Sequence, residues 1–388
     1  MTAILFWLAL FLLIYAYAGY PLFVRWMGGR LLPRPAETAG NLGRTWLLIP
    51  AYNEEAVIAA RLENALAVTP ADAGIVVVSD GSTDSTDAIV KDFERRDPRV
   101  RLFRVEGRRG KNHALNHALG LVAPQPDDVI VFTDANAHFA AGAIAALRER
   151  LAAGAACVVG KLEFVDAVTG TAQAEGLYWR YENALKHAEG AIGRLPFANG
   201  AIFAVRFREV SELPPDVGND FWIPILVLGS GRSVVFEPAA VAREPAPARG
   251  REEFLRKVRM ANRQIRGVIL SWPHLDGATR FQLVSHKVLR WLGLPIMALV
   301  ACTAVALWET HIAYRAAAVA ISASAVLAAA GVLVSGVGLR VPLLNLPVHF
   351  YRVHIAALIG ILEAVLGRRR ATWDQAQSAR RLAGIEES

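Results

Sequence analysis

Cysteine is scarce in this sequence: Cys157 and Cys302 are its two thiols in 388 residues. Each is flanked by apolar residues, so they cannot build a disulfide framework and read as buried structural side chains. Charge is also thin, 20% against 54% hydrophobic residues, where a soluble domain carries about 25%. It is missing altogether from 2–24, 291–308 and 316–339. The 31 glycines follow no three-residue period, which excludes a collagen-like chain, and the apolar content excludes a disordered one. No Walker-type Gly-Lys-Ser/Thr loop and no GxGxxG occurs, so ATPase and dinucleotide readings lose their main support. No internal repeat or low-complexity linker is visible.

What is present is apolar at both ends and soluble in composition between them. Residues 2–24 are long enough for a hydrocarbon core of ~30 Å. Arg25, Arg30 and Arg34 follow and nothing basic precedes, which puts the N-terminus outside and the next segment in the cytoplasm. A cleaved leader ending at Ala16-Tyr17-Ala18 is disfavoured by the missing basic n-region and the length of the run. Residues 1–27 are therefore read as a transmembrane helix. Residues 288–340 are read as a hairpin whose apolar legs are joined by 309–315. His286, Lys287 and Arg290 before it and Arg340 after it place both ends on the cytoplasmic side. The segment 341–370 carries Asn345, Pro347, His349, Arg352, His354 and Glu363, costly at mid-bilayer. It is read as interfacial or re-entrant rather than as a third C-terminal span, with a cytoplasmic tail at 371–388. The expected location is a bacterial-type inner membrane, multi-pass. The net charge of +7 belongs to these lipid-facing margins and not to nucleic acid, for which no motif exists.

Residues 40–245 alternate β-rich runs (45–49, 75–79, 100–105, 129–133, 157–162) with helical patterns (54–67, 83–95, 111–122, 141–152). That is an α/β domain with parallel strands and helices on both faces. Asn53 and Ser82 are expected as helix N-caps. Ligands of such sheets bind beyond the carboxyl ends of the strands. The polar residues there are Pro50-Ala51-Tyr52-Asn53-Glu54-Glu55, Asp80-Gly81-Ser82, Gly110-Lys111 and Asp134-Ala135-Asn136. Tyr52 can stack on a base, Asp80 can accept from a ring N–H or a hydroxyl, and Lys111 at a helix start suits a phosphate. Asp134 and Asn136, two apart, offer oxygens on one side to a hard divalent cation.

The ordered set LLIPAYNEE (47–55), VVVSDGSTDST (76–86), GKNHALNHAL (110–119), VIVFTDAN (129–136), ANGAIFAVR (198–206), NDFWIP (219–224) and FEPAAVARE (236–244) resembles the membrane-bound inverting family 2 glycosyltransferases. That family includes the synthases of cellulose, hyaluronan and poly-N-acetylglucosamine. The resemblance implies a GT-A fold, a Rossmann-like mixed sheet with flanking transmembrane helices. It implies that Pro50, Tyr52, Asn53, Glu54 and Asp80 hold uridine. It also implies that Lys111 meets the diphosphate or sugar, that Asp134 and Asn136 hold Mg²⁺ or Mn²⁺, and that Asp220 is the catalytic base. The third residue of the family's DxD motif is Asn here, and Asn219-Asp220 stands where the family has two acidic residues. His138, two beyond Asn136, reads as a surface or packing histidine rather than a spare ligand.

Residues 246–287 are expected to hold amphipathic interface helices. In 251–272, Phe254, Val258, Ala261, Ile265 and Val268 recur at three-four spacing opposite Arg256, Arg259, Arg263 and Arg266. Arg263 and Arg266 are assigned to the donor. Their setting, Arg-x-x-Arg-Gly267, replaces the Gln-x-x-Arg-Trp of processive members. The aromatic run Tyr178-Trp179-Arg180-Tyr181 lines an acceptor path or simply packs on the sheet. The implied activity is sugar transfer from a UDP-sugar to a glycan or lipid-linked acceptor in envelope polysaccharide synthesis, with envelope-biosynthesis proteins as possible partners. Single-sugar transfer to a polyprenyl phosphate is the alternative, and a non-catalytic sensor or scaffold the remote one.

Overall fold

A computed structural model describes residues 1–28, 40–165, 170–245, 251–336, 339 and 341–370. Arg30, Arg34, Arg340, the first residues of the 246–287 segment and the tail 371–388 lie outside the described residues. So do the side chains of Tyr178 and Trp179. The strands are β1 (Thr45–Ala51), β2 (Gly74–Asp80), β3 (Val100–Val105), β4 (Val129–Thr133), β5 (His138–Phe139), β6 (Cys157–Phe164), β7 (Ile202–Arg206) and β8 (Val234–Glu244). They form one sheet in the order β3-β2-β1-β4-β7-β6-β8-β5. β3, β2, β1 and β4 are parallel as expected. β7 runs antiparallel between β4 and β6, which makes the sheet mixed.

The helices in chain order are α1 (Thr2–Ile14), α2 (Tyr20–Gly28), α3 (Ile58–Val68), α4 (Thr86–Arg96), α5 (Lys111–Val122), α6 (Ala143–Ala152) and α7 (Gly170–Ala191). Then come α8 (Asn219–Gly229), α9 (Arg251–Ser271), α10 (Gly277–Leu283), α11 (Leu289–Trp291), α12 (Gly293–Ala306), α13 (Ile312–Gly336) and α14 (Pro342–Val365). Both sheet faces are covered, so the central strands are apolar throughout rather than alternating. Leu47, Ile49, Val77 and Val131 pack under α3 and α6 through Ile58, Leu62, Ile144 and Leu147. Leu48, Val76, Ile130 and Phe132 pack on the other face under α5 and α8 through Leu115, Ala118, Ile223 and Val227.

Three expectations need correction. Asn53 and Ser82 are not N-caps, because α3 and α4 start several residues later. Asn53 sits at φ 53°, and its Oδ1 accepts from Thr83 N at 2.8 Å while Ser82 Oγ accepts from Asn53 N at 3.1 Å. The two residues tie the β1 and β2 loops together. Cys157 is buried, but Cys302 on α12 is exposed. The first leg of the C-terminal hairpin is short: α12 has 14 residues and meets the preceding helical run, Gly277–Trp291, at a 64° bend.

Thr2–Gly28, Ile312–Gly336 and Leu343–Val365 are long and apolar enough to cross a membrane. Large apolar side chains stand exposed along them, among them Leu8, Phe11, Val326 and Leu333, a belt that water would not tolerate at this extent. α14 lies along α9, where Asn262 Nδ2 donates to the carbonyls of Gly360 and Arg368 at 3.3 and 3.1 Å.

Candidate active site

The site is assembled at the carboxyl ends of β1, β2 and β4. Pro50 is buried in β1, and Tyr52, Asn53 and Glu54 follow it. Tyr52 carries the Arg108 guanidinium over its ring at 4.4 Å, a cation–π pair that fixes the ring plane. Glu54 is buried, with its backbone N–H donating to Thr86 Oγ1 at 2.7 Å. Asp80 is fully buried, and its two oxygens accept from Arg109 N and Gly110 N, each at 2.8 Å. It therefore shapes the loop leading to Lys111. Gly110 has φ 99°, a left-handed backbone favouring glycine, and there the loop turns into α5.

Lys111 Nζ donates to Asp134 Oδ1 at 2.5 Å. Beyond β4, Asp134, Asn136 and His138 are half-buried while Ala135, Ala137 and Phe139 are buried. The chain turns here, with Ala137 N donating to Asp134 O at 3.3 Å. Gly200 keeps the space beside Asp134 open, since a Cβ there would sit 3.0 Å from Asp134 Oδ2.

The opposite wall is the first turn of α8. Its position is set by α5. Asn112 Nδ2 donates to the carbonyls of Pro214 and Val217 at 2.6 and 2.8 Å. Asn116 exchanges two hydrogen bonds with the backbone of Leu213, at 2.9 and 3.0 Å. Ala198 N donates to Asp220 O at 2.8 Å. Asp220 is half-buried. Burial pushes its carboxyl above the ordinary range, Lys111 and Arg263 oppose that, and Asp134 adds to it.

Arg263 and Arg266 both bond the loop that leads into α8. Arg263 donates to Val217 O at 2.6 Å, and burial lowers its pKa while Asp220 and Asp216 sustain its charge. Arg266 is bound to Asp216, at 2.5 Å and 2.8 Å from its carboxylate, so its guanidinium is spent on an ion pair.

Residues 46–212 match the sequence profile of the family described as Glycosyl transferase family 2. This segment is a family 2 glycosyltransferase domain. An N-acetylglucosaminyltransferase of Neorhizobium galegae is 24% identical over 255 residues, 61% of this chain and 58% of that protein. The chain thus spans less than two-thirds of that relative's length. A mannosyltransferase of Pyrobaculum calidifontis, solved in complex with GDP-Man and Mn²⁺, is similar over 94% of this chain and 100% of its own. It has a TM-score of 0.66 and 22% identity, a likeness that carries the fold. The family 2 domain has the expected GT-A-like mixed α/β sheet.

Four parts of the site went unread in the sequence. Asn112 and Asn116 clamp the 213–217 loop, one helical turn apart on α5; that i,i+4 spacing was the available signal. Arg61 of α3 is fully buried beneath β4, 4.5 Å over the Phe139 ring. Burial pushes it down to about 9, opposed by Asp134 and Glu244. Glu244, at the end of β8, is pushed up to about 8, chiefly by burial and then by Asp134. Lys186 of α7 is buried, and burial lowers its pKa while Glu182 and Asp220 raise it. Nothing local in the sequence links these three to Asp134 or Asp220.

The donor set fits a hard divalent cation. Asp134 and Asn136 bring two oxygen-bearing side chains to the turn after β4, the Lys111 ammonium lies against Asp134, and Gly200 leaves the space a Cβ would fill. Among the described residues no cluster of three or more His, Cys, Asp or Glu side chains could hold a metal alone, so donor phosphates would complete the coordination.

Proposed function

We propose that this chain is an inverting glycosyltransferase of a bacterial-type inner membrane, with its family 2 domain in the cytoplasm. It transfers a sugar from a nucleoside diphosphate sugar, read as a UDP-sugar, to a glycan or lipid-linked acceptor. The observation that carries this is the half-buried Asp220 facing the Lys111–Asp134 pair and Arg263. One carboxylate stands across a cleft from groups suited to a diphosphate. Asp220 takes the proton of the acceptor hydroxyl as it attacks the anomeric carbon from the face opposite the departing diphosphate. Lys111 and Arg263 counter the charge that develops on the leaving group. Asp134 and Asn136 would hold Mg²⁺ or Mn²⁺, which supplies Lewis-acid stabilisation of that same charge.

A single-sugar transfer to a lipid-linked acceptor is favoured over long-chain polymerisation by Gly267. It stands where processive members carry Trp, and a Cβ there would come within 2.6 Å of the Phe221 ring. α9 closes onto α8 at this point, so no indole fits beneath an acceptor sugar.

Contacts of α14 support this topology. Its far end meets the cytoplasmic domain's neighbourhood, with Arg368 O on Asn262 and Arg369 3.8 Å from Asp216. α13 starts beside the outer end of α1, where Tyr314 meets Phe6 at 4.7 Å. A crossing by α13 therefore leaves both ends of α14 on the cytoplasmic side, lying in the inner interface.

The test is nucleoside diphosphate release in nanodiscs with UDP-N-acetylglucosamine, other UDP-sugars and GDP-mannose, with and without Mn²⁺. Metal-dependent release from a UDP-sugar is expected, and Asp220→Asn should lower turnover by roughly 10²–10⁴-fold. Full activity in Asp220→Asn would overturn the base assignment.

A further inference from the structure

α8 interrupts its own hydrogen-bond ladder one turn after Asp220. The sequence Asn219-Asp220-Phe221-Trp222-Ile223-Pro224 places a proline four residues past the carboxylate, inside the helix. Proline has no N–H to offer the carbonyl of residue i−4, so the Asp220 C=O is released from the helix. It is taken up from outside, by the Ala198 N–H at 2.8 Å. The side chain of the same residue lies against bare backbone at Gly218, where a Cβ would collide with Asp220 Oδ1. Asp220 is therefore seated by residues 198 and 218 rather than by its own helix.

Ala198 belongs to a short strap pinned at both ends. Leu195 N donates to Val234 O at 3.0 Å, and Asn199 Nδ2 donates to Gly160 O at 2.7 Å. Between these anchors Phe197 is buried. Its ring lies 5.4 Å from Phe221 on α8 and meets His286 edge-on at 5.2 Å, with Lys287 Nζ 4.8 Å above it.

His286 and Lys287 stand on a π-helical turn, Val284–Val288, a helical form concentrated at functional sites. It faces a second such turn, Tyr15–Gly19, through Tyr15 Oη and Ser285 Oγ at 2.9 Å. Both reach Glu189 of α7: His286 Nδ1 lies 2.8 Å from its carboxylate, and Tyr20, the residue after the other turn, donates to it at 2.6 Å. One aromatic ring thus touches the helix that carries Asp220 and the turn that docks the N-terminal helix on α7.

We propose that Phe197 is a positioning residue for Asp220: clasped by His286 and Lys287, it fixes the strap whose Ala198 N–H seats the Asp220 carbonyl, and so makes turnover depend on how the apolar helices dock on α7. That Asp220 is the base rests on the glycosyltransferase reading; the mechanical link does not. The test uses the full chain in nanodiscs, comparing wild type with Phe197→Leu, His286→Gln, the double variant and Pro224→Ala. Steady-state release of nucleoside diphosphate from the donors named above is measured with Mn²⁺, and amide hydrogen exchange is followed by mass spectrometry. Phe197→Leu and His286→Gln should each lower kcat by about tenfold with little change in the donor's KM. The double variant should fall no further than the worse single one, because both act through one path. Pro224→Ala, which returns an N–H to α8 to compete for the Asp220 carbonyl, should lower kcat in the same way. In all four variants peptides covering 197–201 and 219–223 should exchange faster while those of β1 and β2 stay protected, which shows that the domain is folded. Unchanged kcat in Phe197→Leu, additive losses in the double variant, or unaltered exchange at 197–201 and 219–223 would overturn the link. Accelerated exchange in the variants with no turnover of any donor by wild type would leave the link standing and sink the glycosyltransferase reading instead.

Discussion

The proposed role of Asp220 as a base rests on desolvation tempered by two cations. Its carboxyl lies above the ordinary range, so the ionised, proton-accepting form is lost at a higher pH than for an exposed aspartate. The acid limb of kcat against pH should therefore fall above the ordinary carboxylate pKa of about 3.9. Lys111→Met removes a cation that favours the charged form and should move this limb further upward. A limb that stays in place in Lys111→Met would show that the two groups are not coupled. Asp80, Lys111, Asp134 and Asp220 are each found at the strand or helix ends where their motifs place them. Arg266 is paired with Asp216, and no helical periodicity reveals which of two neighbouring arginines a distant carboxylate will claim.

At the scale of elements, α5 is the organiser. It starts with Lys111, which lies against Asp134 and is proposed to meet the donor's diphosphate, and uses Asn112 and Asn116 to hold the loop that leads to Asp220. Asn116→Leu would strand the Leu213 N–H and C=O, at a cost of about 1–3 kcal/mol, and displace α8. The expected result is a fall in kcat with little change in the donor's KM; unchanged kcat would mean that α8 is held elsewhere. Gly267 plays the complementary part by letting α9 approach α8. Gly267→Trp should destabilise by at least the ~1–3 kcal/mol of an overpacked core, read as a lowered thermal midpoint, and should not create processivity. Strands and helices were legible here because covered parallel strands are uninterrupted apolar runs. The exact starts of α3 and α4 were not, since Asn53 and Ser82 bond across two loops rather than to their own helices.

At the scale of the whole molecule, a buried ionic cluster joins the catalytic domain to its apolar helices. Glu189 Oε1 accepts from Tyr20 of α2 at 2.6 Å and lies 2.8 Å from His286 Nδ1. Glu182 meets Lys287 at 3.3 Å and Arg290 at 3.0 Å. Burial acts to raise the Glu182 carboxyl, but Lys287 and Arg290 outweigh it and hold it well below the usual range. A depressed carboxylate adds stability above its unfolded pKa and loses it as pH falls toward the folded one. Wild type should thus lose thermal stability below about pH 4.5. Glu182→Ala should cost about 3–5 kcal/mol at neutral pH by leaving buried cations unpaired, and should flatten that acid dependence. Phe197 extends the junction, its ring lying 5.2 Å from His286 and 5.4 Å from Phe221 beside Asp220. The same geometry predicts that a reporter fused after Ser388 reads cytoplasmic; a periplasmic signal would mean that α14 crosses the bilayer.

The sequence by itself determined the alternation of strands and helices, the apolar ends, and the motifs that mark each strand terminus. All of these follow from local periodicity and short-range chemistry. Only the tertiary structure decided which charges pair: Arg263 with the cleft, Arg266 with Asp216, and Glu182 with the membrane-proximal cations. The scarcity of charge noted at the outset takes on a sharper meaning here. Buried ionisable groups such as Arg61, Glu182, Lys186 and Glu189 lie at the candidate cleft and at its junction with the apolar helices. Low local dielectric makes an unmatched charge costly there, so long-range packing and not sequence spacing selects the partner.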